Sequence, residues 1–98
     1  MTLYAPEAIA QIDALRSYYE TKNRPAAARA LDAALDVAER EIALRPGDGL
    51  PAPRPYPELA RRGQAWLKAG RYWIAYGTGT PPVILAVFFE TADTPERL

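Results

Sequence analysis

The chain has no cysteine and no histidine in its 98 residues. The first absence excludes disulfides and thiol nucleophiles, and the two together exclude the usual zinc sites. The missing imidazole also removes the side chain best suited to moving protons near neutral pH. Catalysis would fall to Asp, Glu, Lys, Arg or Tyr, and no metal or other cofactor is expected. An excess of either charge is lacking too: twelve basic residues balance twelve acidic ones. Proteins that live on nucleic acid usually carry surplus positive charge, because phosphate neutralisation dominates their affinity. Direct sequence-specific nucleic-acid binding is therefore not expected. No apolar run approaches the roughly 20 residues that span a bilayer. Met1 to Pro6 lacks the charged and apolar regions of a signal peptide. These features predict a cytoplasmic protein with no membrane partner.

What is present suffices for a core. Hydrophobic residues make up 49% of the chain, and its length predicts one domain over residues 1–98. A chain of this size buries only about two-thirds of the surface that its unfolded form exposes, so its stability margin is narrow.

Periodicity divides the chain in two. Thr2 to Tyr4 is a short β-compatible segment. Pro6 and Glu7 then read as a helix start, because proline is tolerated in the first turn and an acid there suits the macrodipole. Ala5 is a poor N-cap for it. Ala8, Ile12, Leu15 and Tyr19 recur at helical spacing, with Ile9 beside them. Asn23 reads as a cap for a second helix, with Pro25 just inside it. Leu31, Leu35, Ala38 and Ile42 mark the apolar stripe of that alanine-rich stretch. A connection of about three residues predicts an antiparallel hairpin. The helix ends at Arg45-Pro46-Gly47. Five prolines (Pro46, Pro51, Pro53, Pro55 and Pro57) then remove five backbone donors, which predicts a semi-rigid crossover without helix or central strand.

Beyond it the period changes to two. Ala65 to Lys68, Arg71 to Tyr76 and Val83 to Phe89 read as strands. Ala69-Gly70 marks a tight turn and Gly77 to Pro82 a looser one. Gly77-Thr78-Gly79 lacks the lysine and helix of a phosphate loop and is a hairpin turn. The last strand is apolar on both faces, so one side should be buried and the other partly covered. Thr94-Pro95-Glu96 could open a short terminal turn. The order β-α-α-β-β-β predicts an α+β fold, with the helix hairpin packed on one face of a small, mainly antiparallel sheet.

That order resembles the RelE/ParE superfamily of toxins from type II toxin–antitoxin pairs. Tyr4-Ala5-Pro6-Glu7-Ala8 resembles the family's strand-to-helix entry, where a serine often stands in place of Ala5. Ala27 to Leu44, closing in Arg45-Pro46-Gly47, resembles its second helix and exit. Gly70-Arg71-Tyr72-Trp73-Ile74-Ala75-Tyr76 resembles its G-x-Y-x-I-x-Y strand, and Val87 through Asp93, then Leu98, its closing strand and trailing acid. The mRNA-cleaving branch is strongly basic. It commonly has arginine where Trp73 stands, and histidine and arginines where this chain has Phe89, Glu90, Thr91 and Ala92. The resemblance thus implies the ParE-like branch, whose members inhibit DNA gyrase by binding. It also implies a cognate antitoxin that holds the toxin in a hetero-oligomer, through an apolar helix or an extended arm.

Two readings stand for each candidate site residue. Alternation places Tyr72, Ile74 and Tyr76 against the helices and turns Arg71, Trp73 and Ala75 outward, with Trp66 and Lys68 beside them. Trp66, Lys68, Arg71 and Trp73 on an open sheet face would form a docking surface, since Trp and Arg are enriched in binding hot spots. Alternatively the rings cover each other across the hairpin. Arg61 and Arg62, with Arg54 nearby, are either a solvated loop or a contact for an acidic partner. Glu90 and Asp93 make an unconvincing catalytic pair, because nothing basic or hydroxylic is evidently poised beside them. Were the chain instead a ribosome-dependent mRNA endonuclease, Lys68, Arg71 and Tyr76 would be its only candidates. A non-toxic interaction module with the same fold is the remaining alternative.

Overall fold

Proline sets both helix starts. In the computed structural model, which describes residues 3–90, α1 spans Pro6–Thr21 and α2 spans Pro25–Leu44, each with its proline in the first turn. An N–H at that position would have no intrahelical partner, so proline loses nothing there. Ala5 supplies no side-chain cap.

Asn23 does not cap α2, contrary to the sequence reading. The N-cap is Arg24, which makes no side-chain bond. Asn23 instead adopts φ 52° just past the end of α1. Its N–H donates to the Glu20 carbonyl at 3.0 Å, and that of Arg24 donates to the Tyr19 carbonyl at 2.8 Å. This is a Schellman closure, and asparagine tolerates its left-handed residue better than most side chains do.

The two stripes meet the sheet much as their spacing predicts. Ala8, Ile12 and Tyr19 on α1 are buried, as are Leu31, Leu35, Ala38 and Ile42 on α2, joined by Ala34. Leu15 is half-buried, and Ile9, at the stripe's margin, is exposed. An Arg16–Asp32 ion pair of 2.6 Å links the helices on their exposed side, where such pairs contribute little.

The strands are β1 (Leu3–Tyr4), β2 (Gln64–Ala69), β3 (Tyr72–Gly77) and β4 (Val83–Phe89). Their spatial order is β1-β4-β3-β2. Only the β1–β4 pair is parallel. The result is an α+β fold with the helix hairpin on one face of the sheet. In the β2–β3 hairpin, Gly70 has φ +57° at the first of two loop positions, as a type II′ turn requires. A bulge interrupts β3–β4: Ala75 faces Ala86, but Tyr76 faces Ile84. The extra residue lets Ile84 and Val87 both reach the helix side, while Leu85, Ala86 and Phe88 lie on the other. This explains a strand that is apolar throughout.

The crossover differs most from expectation. Two single-turn 3-10 segments form within it, Pro46–Asp48 and Pro57–Leu59, each opening on a proline. Leu50 and Trp66 exchange two main-chain hydrogen bonds of 2.7 Å, tying the loop to the outer edge of β2. Ala52, Pro53 and Leu59 are buried. With Trp66, Trp73, Ala75, Ala86 and Phe88, the alanine and leucine form a second apolar cluster on the sheet face away from the helices. The outer face is roofed. The trailing acid Asp93 and the turn expected at Thr94-Pro95-Glu96 lie outside the described residues. Among the described residues, no helix is long and apolar enough to cross a membrane.

Candidate interaction surface on the sheet

The hairpin register brings Trp66 opposite Ala75 and Lys68 opposite Trp73. Trp66, Lys68, Trp73 and Ala75 therefore share one face, as the alternation predicts. That face is not open, and this corrects the expectation of an exposed aromatic surface. Trp66 is 2% exposed and Trp73 is 3% exposed, because the proline-rich crossover lies over them. Trp66 stacks on Phe88 with ring centroids 6.4 Å apart. Among the described residues its buried indole Nε1 has no hydrogen-bond partner, which typically costs about 1–3 kcal/mol. Neither ring offers itself to a partner while the crossover is in place.

The cations at this face are engaged rather than clustered. The Arg54 guanidinium lies 5.3 Å from the Trp73 ring centroid and the Lys68 ammonium 5.4 Å from it. Lys68 also pairs with Glu90 at 3.0 Å, and Glu90 accepts a 2.7 Å hydrogen bond from Arg71. Hydrogen bonds from Arg71, then Lys68, hold the Glu90 carboxyl below the usual carboxylate range. Arg71 does not join the tryptophan face: it sits in the turn before β3, with its guanidinium carbon 4.9 Å from the Phe89 ring centroid. Glu90 is thus the hinge of a small ionic cluster. Its place after the last strand, opposite the β2–β3 turn, is a consequence of register that no local pattern reveals.

Tyr72 and Tyr76 project to the helix face, as predicted. The Tyr72 hydroxyl shares a hydrogen bond with that of Tyr19. Burial, and then that bond, raise its pKa well above the ordinary tyrosine value. The Tyr76 hydroxyl donates to the Pro46 carbonyl at 2.8 Å, and burial raises its pKa as well. Each is a satisfied core hydroxyl.

Arg61 is exposed and folds back on its own loop, donating to the carbonyls of Glu58 at 3.2 Å and Ala60 at 2.9 Å. Arg62 is exposed too. Among the described residues, neither pairs with a carboxylate. The structure therefore separates the six candidates into buried rings (Trp66, Trp73), an ionic cluster at one end of the hairpin (Lys68, Arg71) and exposed loop cations (Arg61, Arg62).

The fold and this surface define a small α+β protein with one sheet face under helices and the other under an irregular, proline-rich cover. No protein-family model matches the chain, and no curated protein matches it.

Proposed function

We propose that the chain is the toxin of a type II toxin–antitoxin pair, kept silent in a hetero-oligomer with a cognate antitoxin. It acts by binding a bacterial target, DNA gyrase, rather than by cutting RNA. Support for the toxin class is the sequence resemblance set out above, together with an element order and layering that agree with it.

One observation favours binding over cleavage. A nuclease must bring a proton acceptor and positive charge together at a single phosphate. Here Lys68 and Arg71 converge on Glu90, while the Tyr76 hydroxyl lies on the opposite side of the sheet, bonded to Pro46. Among the described residues, the three candidates for cleavage do not share a site.

The test sets two assays side by side with purified protein: supercoiling by DNA gyrase and cleavage of ribosome-bound mRNA. Inhibition of supercoiling with intact transcripts is expected. Cut transcripts with normal supercoiling would overturn the reading. Growth arrest on expression, rescued by a short neighbouring reading frame, tests the toxin–antitoxin assignment separately.

A further inference from the structure

Small side chains hollow out one corner of the molecule. Ala26, Ala27 and Ala30 of α2 and Gly70 in the β2–β3 turn leave space that larger residues would fill, and a cavity of about 600 Å³ opens there. Sites for small organic molecules span roughly 300–1,000 Å³. Aromatic rings line much of the remainder. Tyr18 and Tyr19 of α1 meet edge to face with centroids 5.9 Å apart, and Tyr72 and Phe89 of the sheet do the same at 5.5 Å. Tyr18 is 53% exposed, so its ring is a wall that the fold leaves uncovered.

Three donors at this cavity have capacity to spare. A single hydrogen bond joins the Tyr19 and Tyr72 hydroxyls. Either can donate it, and the hydrogen of the other is left over. Among the described residues no other side-chain bond uses that hydrogen. Both tyrosines are buried, at 6% and 3% exposed, and both line the cavity. The second donor is the Ala26 N–H. No side chain caps α2, and its first main-chain bonds come from Ala27 and Ala28, both to the Arg24 carbonyl. A helix start of this kind favours a negative group. The third is Arg24, which forms no ion pair among the described residues. Arg71, also at the cavity, is already paired with Glu90. Burial and the Tyr19 bond raise the Tyr72 pKa, and Arg71 and Arg24 oppose them. Both cations therefore act at the hydroxyl pair.

We propose that this cavity is a binding site for a small, flat aromatic carboxylate. The ring packs among Leu15, Tyr18 and Phe89, where edge and face contacts favour another aromatic group. The carboxylate pairs with Arg24, whose guanidinium can hold both oxygens, and accepts the spare tyrosine hydrogen and the Ala26 N–H. A doubly charged phosphate fits less well, because Arg24 alone would have to balance it. The proposal goes beyond the toxin reading and uses neither a target nor an antitoxin, so each can fail without the other.

The test titrates naphthoate into the full chain and follows the amide NMR shifts. Shifts centred on Tyr18, Ala27, Gly70 and Phe89 are expected, saturating at millimolar ligand. Naphthylmethanol keeps the ring without the charge and should bind about tenfold more weakly, the size of effect expected for hydrogen bonds to a charged group. Arg24→Gln should cost naphthoate about the same factor and leave naphthylmethanol unaffected. Ala30→Leu fills the space and should abolish binding of both without lowering the melting temperature. No binding at tens of millimolar naphthoate would overturn the proposal. So would equal affinity for the acid and the alcohol, or normal naphthoate binding by the Arg24→Gln chain. A peptide ending in phenylalanine with a free carboxylate is the rival ligand. If it binds more tightly than naphthoate with the same dependence on Arg24, the cavity recognises protein ends, and the small-molecule assignment is rejected.

Discussion

The two faces of the sheet are buried by different means. The helix face is covered by two regular stripes, and its polar atoms find partners: Tyr19 with Tyr72, and Tyr76 with the Pro46 carbonyl. The opposite face is covered by a segment with no regular period, tied to β2 through the Leu50–Trp66 bridge, and among the described residues it leaves the Trp66 Nε1 unpartnered. A helix brings its own backbone bonds to the interface, whereas a proline-rich loop brings few. The first face should therefore set global stability, and the second should open locally at lower cost.

Ile74→Ala gives the largest effect that this contrast predicts. Ile74 is 0% exposed at the centre of the helix face, and its truncation should cost about 3–4 kcal/mol, as for other fully buried aliphatics. In urea unfolding, helix circular dichroism and tryptophan fluorescence should shift together with an unchanged slope. Separate shifts would mean that the helix face does not govern the whole fold.

Gly49→Ala attacks the other cover. A Cβ at Gly49 would collide with the Tyr76 hydroxyl and approach the Ala65 Cβ to 2.7 Å. Strand and core hold both of those groups, so the loop must yield, at about 2 kcal/mol. Acrylamide should then quench the tryptophans more strongly while the helix signal stays native. Unchanged quenching would show that the crossover is not held at Gly49, and the proposed difference between the faces would lose its main support.

The helix face was the legible one. The residues Ala8, Ile12 and Tyr19, and Leu31, Leu35, Ala38 and Ile42, repeat at a spacing fixed by the helix itself, so the buried stripe can be read one turn at a time. Alternation also made the two sides of the β2–β3 hairpin legible, although the turn falls at Gly70-Arg71 rather than at Ala69-Gly70 and so sets Trp66 opposite Ala75 instead of Trp73. The roof over Trp66 and Trp73 was not. It depends on where Leu50, Pro53 and Leu59 land in space, and an irregular segment carries no period from which to infer that. One hint existed: β4 is apolar on both faces, which requires cover on both. Asn23 was misread because asparagine serves equally as a helix cap and as a left-handed residue, and only the backbone decides between them. The ionic cluster escaped because Glu90 meets Lys68 and Arg71 through a strand pairing distant in sequence.

The faces should also answer to opposite ends of the pH scale, beginning with base. The pKa of Tyr72 is raised above its ordinary value of 10.0, chiefly by burial and then by its bond to Tyr19. The folded state therefore favours the neutral phenol. The stabilisation is complete below pH 10 and is lost as pH rises toward the folded value. Tyr72→Phe should flatten that alkaline fall in melting temperature, although it leaves the Tyr19 hydroxyl unpaired. A slope identical to that of the parent would place the alkaline sensitivity elsewhere.

Acid should act through Glu90, and more weakly. Arg71, then Lys68, depress its pKa below the ordinary 4.5, so its contribution is present above that value and declines as pH falls through the folded one. The carboxylate is part-exposed, at 27%, and solvent screens such pairs. Glu90→Gln should therefore change stability little at neutral pH and remove only the shallow acid-side slope. Because Lys68 lies over Trp73, the same substitution should alter the tryptophan emission without exposing the ring. If emission stayed constant while acid sensitivity disappeared, the cluster would steady the turn at Arg71 and do nothing for the roofed face. The contrast between the two faces would then lie in their packing alone.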